Sequence, residues 1–410
     1  MSDARRVCLV TTFYPPYHFG GDAVFVHRLA GSLAARGHAV DVVHSVDAYL
    51  LSRPAPQGGF VETPGVRRLP LQSPAPLLST LVSHQLGGPG PYRGRLREIL
   101  VGNRYDVIHF HNVSLVGGPA VLRYGDAVKL YTAHDYWLVC PTHVLFKFDR
   151  AACDRKQCLR CTLHAHRPPQ FWRSTGHRNR CLAHIDKLLL PSRFAMQRHV
   201  DDGVVAPMEV LPHFVPAPSE QAPRAAGRDG SFLFVGRLEK LKGVQDLIPV
   251  LREAPNMHLR IAGSGRYETK LRQMAAGLSN VEFLGQVPPA RVAELYREAI
   301  AVIAPSLCYE VFPLAPAEAL AHGVPVIVRR IGALTELIEE SGGGLLFGSP
   351  AELRAAMQQL QASPALRAEL GARGRRAALE RWTEDVHLDR YLALISKLAE
   401  KRAVSARAAH

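Results

Sequence analysis

Ala304-Pro305-Ser306-Leu307-Cys308-Tyr309-Glu310-Val311-Phe312-Pro313-Leu314-Ala315-Pro316-Ala317-Glu318-Ala319-Leu320-Ala321-His322-Gly323-Val324-Pro325-Val326-Ile327 is the run on which the fold turns. It opens where an apolar strand over 299–303 ends and carries Glu310 in a loop. A helix then starts near Ala315 with Glu318 in its first turn, and a second strand follows over 324–328. Strand, loop, helix and strand with no hairpin between them make a parallel unit. In open parallel sheets ligands bind at the carboxyl ends of the strands, which is where chemistry is sought. The two carboxylates are spaced so that Glu310 can accept from vicinal hydroxyls of a ligand while Glu318 meets its far end. Between them the helix N-terminus offers N–H groups to phosphate oxygens.

Outward from this run the same alternation continues. Strand patterns at 232–235, 258–262 and 281–284 precede it, and 7–12, 39–44, 105–109, 128–133 and 187–190 form a similar series in the first half. A Gly20-Gly21 loop and a helix over 22–36, ended by Gly37, follow the first strand. The fold class is α/β, with two doubly wound domains facing a cleft. The chain of 410 residues suits two domains at about 150 or more residues each. Pro216, Pro218, Pro223, Gly227 and Gly230 mark a linker. The expected division is 1–214 with a cysteine-rich insertion at 139–180, then 215–385, then a helix over 386–410 returning to the junction. The tail is helical in pattern from 364 to 402, with a break at Trp382.

Three motifs carry chemistry. Gly236-Arg237-Leu238-Glu239-Lys240-Leu241-Lys242-Gly243 sets an Arg and a Lys beside a helix start, where they can hold a pyrophosphate and stabilise charge that develops on it. Two solvated surface cations are the alternative reading. Ala262-Gly263-Ser264-Gly265 lets backbone approach a ligand closely, a weak signal alone. Leu130-Tyr131-Thr132-Ala133-His134-Asp135-Tyr136-Trp137 puts His134 at a strand end facing the same cleft. A packing role is the alternative for His134, as it is for His109 and His111, and Asp135 can simply cap the following turn.

Composition is that of a globular protein, 47% hydrophobic and 21% charged. Val7-Cys8-Leu9-Val10 is too short for a signal peptide. No run of about 18 apolar residues is present, so no transmembrane helix is expected. The expected location is cytoplasmic, with room for peripheral association at the inner face of the membrane. Net charge is +14, and residues 141–200 hold twelve Lys or Arg against three Asp or Glu. That patch fits nucleotide phosphates, a phosphorylated acceptor, an anionic membrane or nucleic acid, or is a solvated face. Seven cysteines in a reducing compartment favour metal binding or burial over disulfides. Cys140, Cys153, Cys158 and Cys161 suit a structural tetrahedral zinc; an iron–sulfur cluster and free thiols are the alternatives, with Cys181, His164 or His166 as substitute ligands. Such a metal would order the insertion and bring Arg155, Lys156, Arg160 and Arg173 to an acceptor's phosphates.

These motifs together resemble retaining glycosyltransferase family 4, the glycosyl transferases of group 1, whose GT-B fold faces two Rossmann-like domains across a cleft. The resemblance covers nearly the whole chain. It implies that Arg237 and Lys242 hold the diphosphate, Glu318 the ribose and Glu310 the sugar hydroxyls. It also implies that Gly20 and Gly21 approach the phosphates from the facing domain, and that the N–H groups of Leu314 and Ala315 add to the phosphate site. Phe312 and Gly263 would complete the donor pocket, and His134 would stand near the reacting sugar. Pro313 departs from the glycine common at that position and offers no N–H.

The implied reaction moves a hexosyl group, with retention, from a UDP- or GDP-sugar to a glycan, lipid-linked or other hydroxyl acceptor in bacterial cell-envelope or exopolysaccharide synthesis. Since Arg237 and Lys242 supply positive charge and no Asp-x-Asp triplet occurs, no catalytic metal is expected. A sugar-nucleotide epimerase or a non-catalytic scaffold on the same fold is the rival reading. A nucleic-acid binder using the cysteine knuckle leaves Glu310 and Glu318 unexplained, so nucleic acid is not an expected partner.

Overall fold

Runs of Val, Leu and Ile too continuous to face water on either side become parallel strands covered by helices on both faces. In the computed structural model, which describes residues 4–56, 60–216 and 230–408, the first sheet uses β1 (Arg6–Val10), β2 (Ala39–Ser45), β3 (Val66–Leu71), β4 (Val107–Phe110) and β5 (Val128–Thr132). A separate antiparallel hairpin, β6 (Phe146–Lys147) and β7 (Ala151–Ala152), interrupts it before β8 (Lys187–Leu190) and β9 (Met208–Val210) complete it. The strand order is β3-β2-β1-β4-β5-β8-β9, parallel throughout.

The second sheet uses β10 (Ser231–Val235), β11 (His258–Ala262), β12 (Val281–Gly285), β13 (Val302–Ala304), β14 (Val326–Arg329) and β15 (Gly344–Phe347). Its order, β12-β11-β10-β13-β14-β15, is again all parallel. In each sheet the order reverses beside the first strand, between β1 and β4 and between β10 and β13. Loops leave those neighbouring strands in opposite directions, which opens a crevice at their carboxyl ends.

Strands β3, β9 and β15 are short or interrupted by charge and proline, and no strand is expected there from the sequence. They lie at sheet edges, where only one neighbour supplies hydrogen bonds and polar side chains are tolerated. On β3, Arg67 clamps Asp41 of β2 with bonds of 2.8 and 2.5 Å.

Helices Pro364–Arg381 and Glu384–Ala408 meet at Trp382, which is 1% exposed. Its carbonyl accepts from the Val215 amide at 2.8 Å, tying the break to the crossing between the sheets. The last helix buries Leu388, Tyr391, Leu394, Ile395 and Leu398 against β1, β4 and β5 residues of the first sheet. Arg36 binds Asp385 and Asp389 at 2.7 Å each. Of the linker residues, Pro218, Pro223 and Gly227 lie outside the described residues, while Pro216 is exposed.

Candidate active site

Both crevices open onto one cavity of about 740 Å³, lined by loops of both sheets. That volume is typical of a pocket for a small organic ligand. The second sheet supplies the charged wall. Gly243 turns the chain back after the 3₁₀ turn Lys240–Lys242; its φ is +76°, and a Cβ there would fall 2.0 Å from the Pro305 carbonyl oxygen. This close approach delivers Lys242 to the loop after β13, where its Nζ meets Glu310 Oε1 at 2.6 Å. Ser306 donates its hydroxyl to the same oxygen at 2.7 Å.

Burial pushes the Glu310 carboxyl up, but Lys242 and the Ser306 hydroxyl outweigh it and hold it below the usual range. Burial likewise works against the Lys242 ammonium, and Glu310 overrides it. Both groups are therefore charged across the neutral range and neutralise one another. Arg237 lines the same cavity and adds to the positive field on Glu310.

The first sheet supplies the facing wall. Gly20 caps the helix Gly21–Ala35 with φ +93°, and a Cβ on Gly21 would touch Leu314 Cδ1 at 3.4 Å, so the glycine loop runs directly against the opposite domain. Asp22 follows, 3.5 Å from the Asn112 amide, with its carboxyl pushed up by burial and by Asp135.

His134 lines the cavity, but both its ring nitrogens are engaged. Its Nε2 pairs with Nδ1 of His111 at 2.8 Å and its Nδ1 with Nε2 of His213 at 3.1 Å. In this arrangement both nitrogens of His134 face other histidines and neither points unpartnered into the cavity. Burial holds it neutral, with a pKa of about 4. Asp135 accepts from the Trp137 amide and pairs with His143, both at 2.8 Å, so it caps the turn and also lines the cavity.

Several expected residues stand elsewhere. His109 and His111 are each 1% exposed, behind the cleft wall; His109 bridges Thr132 at 2.8 Å and Tyr391 of the last helix at 3.0 Å. Gly263 does not line the cavity. Its φ is +141° and a Cβ would lie 1.9 Å from the Gly236 carbonyl oxygen, so it is a glycine for the sake of the neighbouring turn.

Glu318 sits one turn inside the helix Leu314–Ala321, not in its first turn. It accepts from the Tyr296 hydroxyl at 3.1 Å and faces Arg28 of the other domain at 3.6 Å. Phe312, Leu314 and Ala315 do line the cavity; the Leu314 amide, however, closes a turn onto the Phe312 carbonyl at 3.1 Å and is not free for phosphate. The sequence reading omitted Asp22, Ser306, Arg28 and His213. Asp22 directly follows the glycine pair, and Ser306 lies just past a strand end, signals that position alone carried. His213 is 79 residues from His134 and had none.

In the insertion, Cys140, Cys153, Cys158 and Cys161 line one smaller cavity of about 200 Å³. Burial, then the neighbouring Cys140, pushes the Cys153 and Cys158 thiols up. Among the described residues no three His, Cys, Asp or Glu side chains form a ready-made metal site. Cys181 is buried apart, 3.6 Å from His177 Nε2, and His164 packs edge-on to Phe148. Arg173 is not an acceptor ligand: it donates to the backbone carbonyls of Trp137 and Leu138 and stacks on Trp172. Lys156 is paired with Asp202 at 2.7 Å. Arg155 and Arg160 remain exposed, and Arg167 reaches the main cavity. No helix among the described residues is long and apolar enough to cross a membrane.

Residues 19–217 match the model of Glycosyltransferase Family 4, and residues 219–377 match that of Glycosyl transferases group 1. The D-inositol 3-phosphate glycosyltransferase of Acidothermus cellulolyticus is 30% identical over 97% of this chain and 92% of its own length. The glycogen synthase of Mycobacterium tuberculosis is 29% identical over 93% and 91%. Among solved structures, sucrose-phosphate synthase from Thermosynechococcus elongatus superposes with a TM-score of 0.70 at 20% identity, covering 97% of this chain and all of that one. Anabaena HepE in complex with UDP and glucose does so with a TM-score of 0.67 at 18% identity, covering 98% and 100%.

Proposed function

The chain belongs to glycosyltransferase family 4, and from that premise we propose that it is a retaining hexosyltransferase whose donor, a UDP- or GDP-sugar, lies along the Arg237–Lys242–Glu310 wall. The observation that carries this reading is the buried Lys242–Glu310 pair at the strand-order reversal of the second sheet, opposite Gly20 and Gly21. Donor binding exchanges the pair's internal partners for ligand: the diphosphate takes Lys242 and Arg237, and sugar hydroxyls take Glu310. Glu318 reaches the ribose as Arg28 yields. The glycosidic C–O bond to phosphate then breaks while the acceptor oxygen attacks the same face, and the acceptor proton leaves with the phosphate oxygen. Arg237 and Lys242 stabilise the charge that develops there, and orientation supplies much of the rest. His134, with both nitrogens engaged, acts by shaping the wall.

The acceptor is a hydroxyl of a glycan, a lipid-linked sugar or a polyol phosphate; the names of two relatives carry an inositol phosphate and glycogen for those proteins. Arg167 and the exposed Arg155 and Arg160 favour one bearing phosphate. The same basic face suits work at the cytoplasmic surface of a membrane in cell-envelope or exopolysaccharide synthesis.

A thermal-shift series with UDP, GDP, ADP, TDP and CMP tests the donor site, because a ligand that binds only the folded state raises Tm. One diphosphate is expected to raise Tm in the wild type and not in Arg237→Ala. No shift with any of the five, or an equal shift in Arg237→Ala, would overturn the assignment.

A further inference from the structure

The insertion between β5 and β8 poses a question of stability. Of residues 147–169, only Thr162 is buried, so this stretch has almost no apolar core of its own. It nonetheless holds a helix, most of a hairpin and three non-glycine residues with positive φ, Phe148, Asp149 and His166, with His143 and Leu145 just before it. Non-glycine backbone in that region is strained and persists only where surroundings impose it. Segments too small to bury enough surface are held by disulfides or by metal.

We propose that Cys140, Cys153, Cys158 and Cys161 together bind one zinc ion as a structural tie for this insertion. The four come from three separate places. Cys140 ends the turn after β5, its amide bonded to the Tyr136 carbonyl at 2.7 Å; Cys153 follows β7, its amide bonded to the Leu145 carbonyl at 2.7 Å. Cys158 and Cys161 lie one turn apart at the start of the helix Cys158–His164, so they share a face. All four line the same cavity. Four thiolates are a complete tetrahedral set for zinc.

The thiols do not yet surround a common point. Each hangs on one rotatable bond, and the helix bearing the close pair is anchored by a single buried residue, Thr162. Ligation therefore needs rotamer changes and a shift of a lightly held helix, and ligands ordered by the metal itself are the rule where binding and folding are coupled. Neighbouring thiolates repel one another, and a divalent cation removes that opposition. The tie would fix Asp149, which faces Lys240 of the nucleotide-side turn at 3.5 Å, and Arg167 at the wall of the main cavity.

The test is metal analysis of untagged protein purified without chelator from zinc-replete cells, with cobalt exchange on the reduced protein under anaerobic conditions. About one zinc per chain is expected in the wild type and in Cys181→Ser, falling to near zero in the double variant Cys158→Ser/Cys161→Ser. Cobalt should give thiolate charge-transfer absorption with the intense d–d bands of a tetrahedral ion. If the double variant fails to fold, Cys161→His serves: it should retain metal while its cobalt charge-transfer absorption weakens. Absence of both zinc and cobalt binding in the wild type would overturn the proposal. So would metal content unchanged in the double variant, a cobalt spectrum unchanged in Cys161→His, or iron with acid-labile sulfide in place of zinc.

Discussion

Acidification from pH 7.5 to 5.5 should destabilise this protein by several kcal/mol through a defined set of histidines. His44, His134 and His387 are pushed down to about 4 by burial, and His109, His111 and His213 are held well below 6.5 by burial and by one another. Five of the six form a contact chain from the cleft to the last helix, His213–His134–His111–His109 with His387 beside Tyr391. Asp135 alone among the neighbours favours the charged form of His134, while Arg390 opposes that of His387.

These native values lie below the unfolded value of 6.5. Stability is therefore fully present above pH 6.5 and is lost as pH falls toward about 4, because the unfolded chain takes up protons that the folded one refuses. Linkage gives on the order of 1 kcal/mol per such group between pH 7.5 and 5.5. His44, His134 and His387 alone then account for roughly 3–4 kcal/mol, a large part of the 5–15 kcal/mol that typically holds a protein folded. Urea unfolding followed by circular dichroism at pH 7.5, 6.5 and 5.5 measures this directly. In His111→Gln the loss over the same range should be smaller, since one buried histidine that resists protonation is removed. A wild-type loss under about 1 kcal/mol, or the same loss in His111→Gln, would refute the reasoning.

Two further outcomes follow from the site. Lys242→Ala strips the buried Glu310 carboxylate of its counter-charge; it should cost about 3 kcal/mol in urea unfolding and lower kcat/KM about 10²–10³-fold, while the added Glu310→Gln change restores stability but not activity. Gly263→Ala places a Cβ 1.9 Å from the Gly236 carbonyl oxygen, so the turn bearing Arg237 must move; differential scanning calorimetry should show a lowered Tm, and nucleotide-induced shifts should shrink with it.

Strong local patterns carried most of the architecture. The buried strands β1, β5, β8, β10 and β11 are read to within a residue or two, because parallel strands covered on both faces must be continuously apolar. The break at Trp382 is visible too, as is the gathering of Arg237, Lys242 and Glu310 at one cavity, each of which follows a strand end where parallel sheets bind ligands. Of the edge strands only β12 is, over 281–284; β3 is interrupted by Arg67, Arg68 and Pro70, and β9 and β15 run only three and four residues.

What only the tertiary structure decided concerns groups far apart in the chain. That Lys242 and Glu310 satisfy each other, 68 residues apart, depends on Gly243 letting one turn sit on the end of β13. That His134 is held between His111 and His213 depends on two loops packing around it. Spacing within a motif reports on one element at a time, whereas the charge state and freedom of a buried group are set by whatever the rest of the fold brings against it.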